Sequence, residues 1–214
     1  MLKRNKGTIV LTTCLTALPA ALGLLLWSRL PDTIATHFDA AGVPNGWSSK
    51  TFAVLGLPAF LVAVHLLCTF GTMMDPKRRN IQDKMFRLVL WICPIVSILT
   101  CTCVYLYALG VNVDMARICV IMLAVMFIII GNYLPKCRQS YTMGIKLPWT
   151  LANEENWNKT HRMAGKLWVA GGVLTMATAF LGSFWILMGI LIVMVAVPTV
   201  YSYRLYKIQT AQEE

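Results

Sequence analysis

Six apolar runs of about 20 residues constrain the fold of this chain more than any other feature. They cover Thr8–Trp27, Phe52–Met74, Leu88–Leu109, Ala116–Leu134, Leu167–Leu181 and Phe184–Tyr201, and the fifth is expected to begin earlier, near Met163. A helix of about 20 apolar residues spans a hydrocarbon core of about 30 Å. With 57% hydrophobic and 13% charged residues, a soluble fold could not cover its apolar surface. The runs predict an all-α membrane protein, a six-transmembrane-helix bundle.

The basic residues indicate the orientation of these helices. Sixteen of the nineteen Lys and Arg residues fall on one side, in the N-terminal segment, the loops 75–87 and 135–166, and the C-terminal tail. The other side carries Arg29, Lys50 and Arg117. Because Lys and Arg accumulate on the cytoplasmic side, both termini are predicted to be cytoplasmic. Residues 1–214 are predicted to form one multi-pass domain of a cell membrane, with the loop 28–51 as a short external cap.

Charge and cysteine usage exclude several classes of protein. The net charge of +10 would suggest nucleic acid for a soluble chain. Here the basic residues lie between apolar runs, so topology and the anionic headgroups of the lipid bilayer account for them, and no direct nucleic-acid partner is predicted. Six of the seven cysteines lie inside apolar runs and Cys137 lies in a basic loop. We therefore predict no disulfide framework and no cofactor.

The external loop contains the first group of candidate contact residues. The alternation of Ile34, Thr36 and Phe38 predicts a short extended piece. The tripeptide Pro44-Asn45-Gly46 has the chemistry of a turn. Trp47 and Lys50 are predicted to anchor the loop at the membrane interface.

A metal site in this loop is the alternative to a structural cap. His37 and Asp39 are potential ligands, but the loop offers only Asp32 as a further carboxylate. Metal sites usually need three or four protein ligands. We therefore predict no metal.

The internal segment 135–166 carries the densest pattern. Asn153 is a good helix N-cap, and the glutamates that follow suit the positive first turn of a helix. Trp157, His161, Ala164 and Trp168 line one helical face. This predicts a cytoplasmic amphipathic helix that lies at the interface and runs into the fifth span. Exposed Trp and Arg residues at such a place are typical of a docking surface.

Two further readings of the sequence stay open. A membrane enzyme would use His161 as its base, but no nucleophile is visibly paired with it, so an enzyme is not the preferred prediction. A small transporter or channel for a lipid or peptide would use His65, which is ionisable and near a helix centre. Asn132, which could hydrogen-bond between helices, and prolines within the spans are compatible with that alternative.

Two sequence patterns resemble those of a known family. Leu30-Pro31, His37-Phe38, Ala41-Gly42, Trp47 and Lys50 occur in the order of the amino-terminal signature of SdpI-type bacterial membrane proteins. A second series of residues in this chain resembles the hallmark of the same family. It consists of Gly131-Asn132, Pro135, Gly144-Ile145-Lys146-Leu147-Pro148-Trp149-Thr150-Leu151, Glu155, Trp157, Thr160-His161-Arg162 and Gly165-Lys166. The chain departs from the family pattern at Lys146, Leu147 and Ser140, where Arg, Thr and Asn are usual.

The resemblance implies a function in immunity and signalling, without an enzymatic step. The founding member protects its cell from a secreted toxic peptide and holds a winged-helix repressor of the ArsR type at the membrane. External candidates for the toxin peptide are then His37, Phe38, Trp47 and Lys50. Candidates on the cytoplasmic side, toward the repressor, are Asn132, Lys146, Pro148, Trp149, Thr150, Trp157, His161 and Arg162.

Overall fold

The computed structural model describes residues 2–212, without the side chain of Leu2. Six helices in this part of the chain are long and apolar enough to cross a membrane, judged by length and composition. The prediction of an all-α membrane protein with six membrane-spanning helices is confirmed. In chain order the elements are α1 (Leu2–Leu25), β1 (Thr33–Phe38), β2 (Pro44–Ser49), a π-helical turn (Phe52–Gly56), α2 (Leu57–Met73), a 3-10 turn (Arg78–Asn80), α3 (Asp83–Ala108), α4 (Met115–Tyr133), a 3-10 turn (Leu134–Lys136), α5 (Pro148–Ala152), α6 (Glu154–Leu181) and α7 (Phe184–Thr210).

Several helices extend beyond the apolar runs that predicted them. The fifth membrane helix, α6, begins at Glu154, because the Asn153 side chain accepts a hydrogen bond of 2.9 Å from the Asn156 N–H. It ends at Leu181, Gly182 follows as its C-cap with a φ of 65°, and the Ser183 side chain then caps α7. Hydropathy marks only the part of a helix that lies in lipid, whereas backbone hydrogen bonding continues into the polar ends.

The residues of the chain group into two compact units. The first comprises the described residues up to Met74 together with Asp83–Ala116. The second comprises Asp75–Gln82 together with the described residues from Arg117 onward. The prediction of one integral domain stays a prediction.

The first unit contains α1, α2, α3 and the β-hairpin. Its apolar core consists of Leu30, Ile34, Ala53, Val54, Cys101, Val104, Tyr105 and Met115. Strands β1 and β2 pair antiparallel, so the predicted extended piece is confirmed. Ile34 on β1 is buried, and the Phe38 ring meets the Tyr107 ring of α3 edge-on at 5.1 Å. These contacts fix the hairpin to the helices.

The turn of this hairpin lies earlier in the sequence than predicted. Pro44-Asn45-Gly46 belongs to β2, so the prediction of a turn there is wrong. Asp39 forms the turn instead, because its carboxylate accepts hydrogen bonds of 2.9 Å from the N–H groups of Ala41 and Val43. Gly42 supplies the positive φ of 79° that the turn requires.

The second unit contains α4 to α7 and the loop 137–147. Helices α6 and α7 form a tight hairpin through Gly182 and Ser183. On the surface of α6, Glu155 and Lys159 form an ion pair, with 2.7 Å between Oε1 and Nζ. Most of the sequence hallmark lies in this unit.

Candidate functional site

The centre of the candidate site is an aromatic pair on the first turns of α6. Trp157 and His161 stack with ring centroids 4.0 Å apart. The His161 Nε2 atom accepts a hydrogen bond of 2.8 Å from the Ile145 N–H. Its Nδ1 atom lies 2.7 Å from the Trp157 carbonyl oxygen and therefore carries the proton. The imidazole is neutral, and neither ring nitrogen is free to act as a general base.

The same pair positions the loop 137–147. The indole N–H of Trp157 donates a hydrogen bond of 2.8 Å to the Cys137 carbonyl, at the start of the loop. At its end, the Thr150 hydroxyl accepts a hydrogen bond of 2.9 Å from the Leu147 N–H and lies 2.8 Å from the Ile145 carbonyl oxygen. The loop is thus fixed at its start and at its end by buried side chains.

This arrangement corrects the prediction of an interfacial aromatic face. Trp157 and His161 were expected at the cytoplasmic interface and among the residues that contact a partner, but their exposed fractions are 0% and 1%. The two side chains are therefore buried rather than interfacial in this structure, and their contact with a partner stays a prediction. Their polar atoms are needed inside, where unpaired backbone groups of the loop would be costly. Thr150 is also fully buried.

Trp149 joins the short helix α5 to α7. Its indole N–H donates a hydrogen bond of 2.9 Å to the Ser202 hydroxyl. Its ring lies edge-on to Tyr203 at 5.3 Å and stacks on Tyr206 at 6.1 Å. Trp149 is half-buried, so one part braces the fold and another part stays accessible.

Four of the candidates in the second unit have exposed side chains: Asn132, Lys146, Pro148 and Arg162. Asn132 was expected to bond between helices, but it lies exposed near the end of α4. Lys146 reaches the Thr142 carbonyl at 3.5 Å. These residues are available for contact with a partner, whereas the buried ones support them.

Asp75 is a site residue that sequence reasoning missed. It is 2% exposed, and its Oδ2 atom accepts hydrogen bonds of 2.9 Å and 2.8 Å from the Tyr141 and Thr142 N–H groups and of 2.7 Å from the Thr142 hydroxyl. Its Oδ1 atom accepts one of 2.7 Å from the Lys77 N–H. Burial raises the pKa of Asp75, but the hydrogen bonds from Thr142, Lys77 and Tyr141 outweigh it, so the net pKa lies below its usual value. The only sequence signal was an Asp-Pro step directly after an apolar run.

Replacing Asp75 with asparagine is expected to lower the free energy of unfolding by about 2 kcal/mol, because an amide group would face several N–H donors. Since the folded-state pKa is lowered, the carboxylate contributes its full stability above its usual pKa of 3.8 and loses it as the pH falls through the folded value. The midpoint of thermal unfolding in detergent, followed from about pH 7 to about pH 3, should therefore fall more steeply for the natural protein than for Asp75→Asn. Glu154→Gln, at an exposed residue, is the control; parallel curves for Asp75→Asn and the natural protein would contradict the prediction.

The hairpin of the first unit holds the remaining candidates. His37 is exposed, and its Nδ1 atom lies 2.5 Å from the Asn45 Oδ1 atom on β2. Trp47 is 60% exposed, whereas Phe38 is turned toward Tyr107. Lys50 was expected, with Trp47, to anchor the loop at the membrane interface. Its ammonium group lies 3.0 Å from an Asp32 carboxylate oxygen and 5.4 Å from the Trp27 ring centroid.

Three kinds of group bear on metal or redox chemistry: metal-ligand clusters, the Cys137 thiol and the His65 imidazole. Among residues 2–212, no cluster of three His, Cys, Asp or Glu side chains has the geometry of a metal site. Burial raises the pKa of the Cys137 thiol to about 11, so this thiol is protonated at neutral pH. In the first unit, His65 is buried and its Nε2 atom lies 3.2 Å from the Thr12 hydroxyl.

Comparison with known proteins identifies a family that this chain resembles. Residues 136–202 match the SdpI/YfhL protein family, and residues 14–62 match a domain of unknown function, DUF1648. The chain is 25% identical over 213 residues to "Immunity protein SdpI" of Bacillus subtilis (strain 168). The aligned region covers 96% of this chain and 97% of that protein. No solved structure matches. The predicted resemblance of this chain to the SdpI family of membrane proteins is therefore confirmed, along nearly its whole length.

Proposed function

We propose that this chain is an immunity protein of a bacterial cell membrane that protects its cell against a membrane-active toxin peptide. The observation that carries the proposal is the similarity, over 96% of the chain, to a relative named Immunity protein SdpI. The distribution of Lys and Arg supports cytoplasmic termini and an external hairpin.

The hairpin supports a role in recognising the peptide. It exposes Trp47 and His37 on strands whose positions are fixed by the Phe38–Tyr107 contact and by the Lys50–Asp32 ion pair. A large aromatic side chain on a rigid support is the usual anchor of a binding surface, because little entropy is lost on binding.

The proposal is tested by expressing the chain in a bacterium that is sensitive to a panel of membrane-active peptides. At least one peptide should kill fewer cells when the chain is present. Trp47→Ala should reduce the protective effect by roughly 30-fold in peptide concentration, as expected for loss of a central aromatic contact. Trp185→Ala, at a residue that is 81% exposed, should leave protection unchanged. Equal killing with and without the chain, across the whole panel, would contradict the proposed function.

The second part of the proposal is that the cytoplasmic surface holds a winged-helix repressor of the ArsR type. It is supported by the family resemblance and by the exposure of Lys146 in the loop 137–147 and of Arg162 on α6. Membranes from peptide-treated cells should retain the repressor, and membranes from untreated cells should not. Retention unchanged in a Lys146→Ala, Arg162→Ala double variant would contradict this assignment of the surface.

Transport is the second candidate function, and the contact of His65 with Thr12 is the observation that favours it, since it places a polar pair inside the first unit. If the chain is a transporter, removal of the imidazole in His65→Ala should abolish the protection of the cell against the peptide at normal protein abundance. Protection that persists in this variant would leave His65 with a packing role.

A further inference from the structure

Two basic segments of the second unit, one around Lys77 to Asn80 and one around Gln139, are joined by hydrogen bonds. The Asn80 side-chain amide donates a hydrogen bond of 2.9 Å to the Gln139 carbonyl, and the Lys77 ammonium group donates one to the Gln139 side chain. The Gln139 amide in turn donates to the carbonyls of Thr150 and Leu151, at 3.0 Å and 2.8 Å. Gln139 is therefore fixed from both sides, and the two segments cannot separate without breaking these bonds.

This junction gathers positive charge at one place. Arg79 immediately precedes Asn80, and Arg138 immediately precedes Gln139, so the Asn80–Gln139 bond places two arginines on neighbouring backbone. Arg78 immediately precedes Arg79, and Lys136 lies two residues before Arg138. All four side chains are exposed. We call these four residues the basic junction.

The nearest carboxylate in the sequence does not neutralise the basic junction. Asp75 is buried, and its two oxygens already accept hydrogen bonds from Lys77, Tyr141 and Thr142. Within residues 2–212, no carboxylate oxygen lies within 4.0 Å of the cationic groups of the basic junction. The junction therefore presents cations that an external anion can bind.

The position of the junction indicates which anion it meets. Lys136 is the last residue of the apolar span Met115–Lys136, and its ammonium group lies 5.0 Å from the Tyr133 ring centroid. Lys77 lies 5.6 Å from the Tyr141 ring centroid. Pairs of aromatic and basic residues at the end of a membrane span lie at the depth of the headgroups. The anions at that depth are lipid phosphates.

We propose that the basic junction is a binding site for the headgroup of an anionic phospholipid. Arginine suits this role because its planar guanidinium group donates two parallel hydrogen bonds to a phosphate. The bonds of Gln139 order the site in advance, which lowers the entropy lost on binding. The site does not depend on toxin immunity, so either can fail without the other.

The proposal is tested with the purified full-length chain in a neutral detergent. Short-chain phosphatidylglycerol and phosphatidylcholine are titrated, and binding is measured by native mass spectrometry. The double variant Arg79→Gln, Arg138→Gln should bind phosphatidylglycerol roughly 30-fold more weakly, since each cation near a membrane surface contributes roughly fivefold in affinity. Binding of phosphatidylcholine should not change.

The matched control is Arg204→Gln, Lys207→Gln, which removes the same charge from the exposed end of α7 in the same unit. This control should weaken phosphatidylglycerol binding by less than about threefold if the site is localised. Circular dichroism should give the same helix content for both double variants. Equal weakening in the two would reveal general surface attraction and overturn the proposal. Inorganic phosphate is titrated in the same way. If it occupies the site as fully as phosphatidylglycerol does, the site binds free anions and the proposal is overturned.

Discussion

Replacing Gly144 with alanine is expected to lower the free energy of unfolding of the second unit by about 4 kcal/mol. Gly144 has a φ of 101°, where a residue with a Cβ atom is strained by roughly 1–3 kcal/mol. The new Cβ atom would also lie 2.5 Å from the His161 Nε2 atom and 2.7 Å from the Trp157 ring. Because both rings are buried, the loop must move, and the Ile145–His161 hydrogen bond is then lost at a cost of about 1–3 kcal/mol. The free energy of unfolding is measured by titration with a denaturing detergent in mixed micelles.

Gly182→Ala is the matched control for this substitution. Gly182 also has a positive φ, of 65°, but no atom lies within 4 Å of the position that a Cβ atom would take. Its replacement should cost only the left-handed strain, about 1–2 kcal/mol. The difference between the two variants therefore isolates the contact of the loop with the aromatic pair. Equal losses would mean that His161 and Trp157 do not confine the loop as the structure indicates.

Replacing His161 with alanine is expected to cost about 3 kcal/mol. The Ile145 N–H loses its acceptor, which costs about 1–3 kcal/mol for a buried donor, and the cavity left by the ring adds to that loss. Trp157 also loses the ring that stacks on it at 4.0 Å. The unfolding titration measures the loss, with Arg162→Ala as the neighbouring exposed control, for which a change within about 0.5 kcal/mol is expected.

His161→Gln separates a bracing role from proton transfer. The glutamine oxygen can accept the hydrogen bond from the Ile145 N–H, so part of the stability and the protective effect should return. An amide cannot replace imidazole as a general base. Glutamine should therefore restore immunity if His161 braces the loop; failure to do so at normal stability and abundance would favour acid–base chemistry.

The spans were predictable from the sequence because their length is imposed by the bilayer. Local hydrogen-bonding chemistry was also predictable, since Asn153 caps α6 as its position in the sequence indicated. The position of the hairpin turn could not be predicted, because Pro44-Asn45-Gly46 and the segment from Asp39 to Gly42 both have the composition of a turn. The Asp39 carboxylate decides between them by bonding the N–H groups of Ala41 and Val43.

The candidate site was only partly predictable. The sequence identified the loop 137–147 and the residues around it, but placed Trp157 and His161 at an interface. A helical face of aromatic residues has the same pattern whether lipid or a folded loop covers it. Asp75 was missed because its partners Tyr141 and Thr142 are distant in the sequence, and no local pattern records that contact.

The sequence by itself determined that this chain has six membrane-spanning helices, because helices in lipid satisfy their backbone hydrogen bonds within each segment and need a fixed apolar length. Tertiary structure alone decided which polar residues face inward. Asp75 and His161 are buried because the N–H groups of the loop 137–147 need acceptors that the loop itself does not supply. Such pairing depends on contacts between distant segments, so it becomes visible only when the chain is folded.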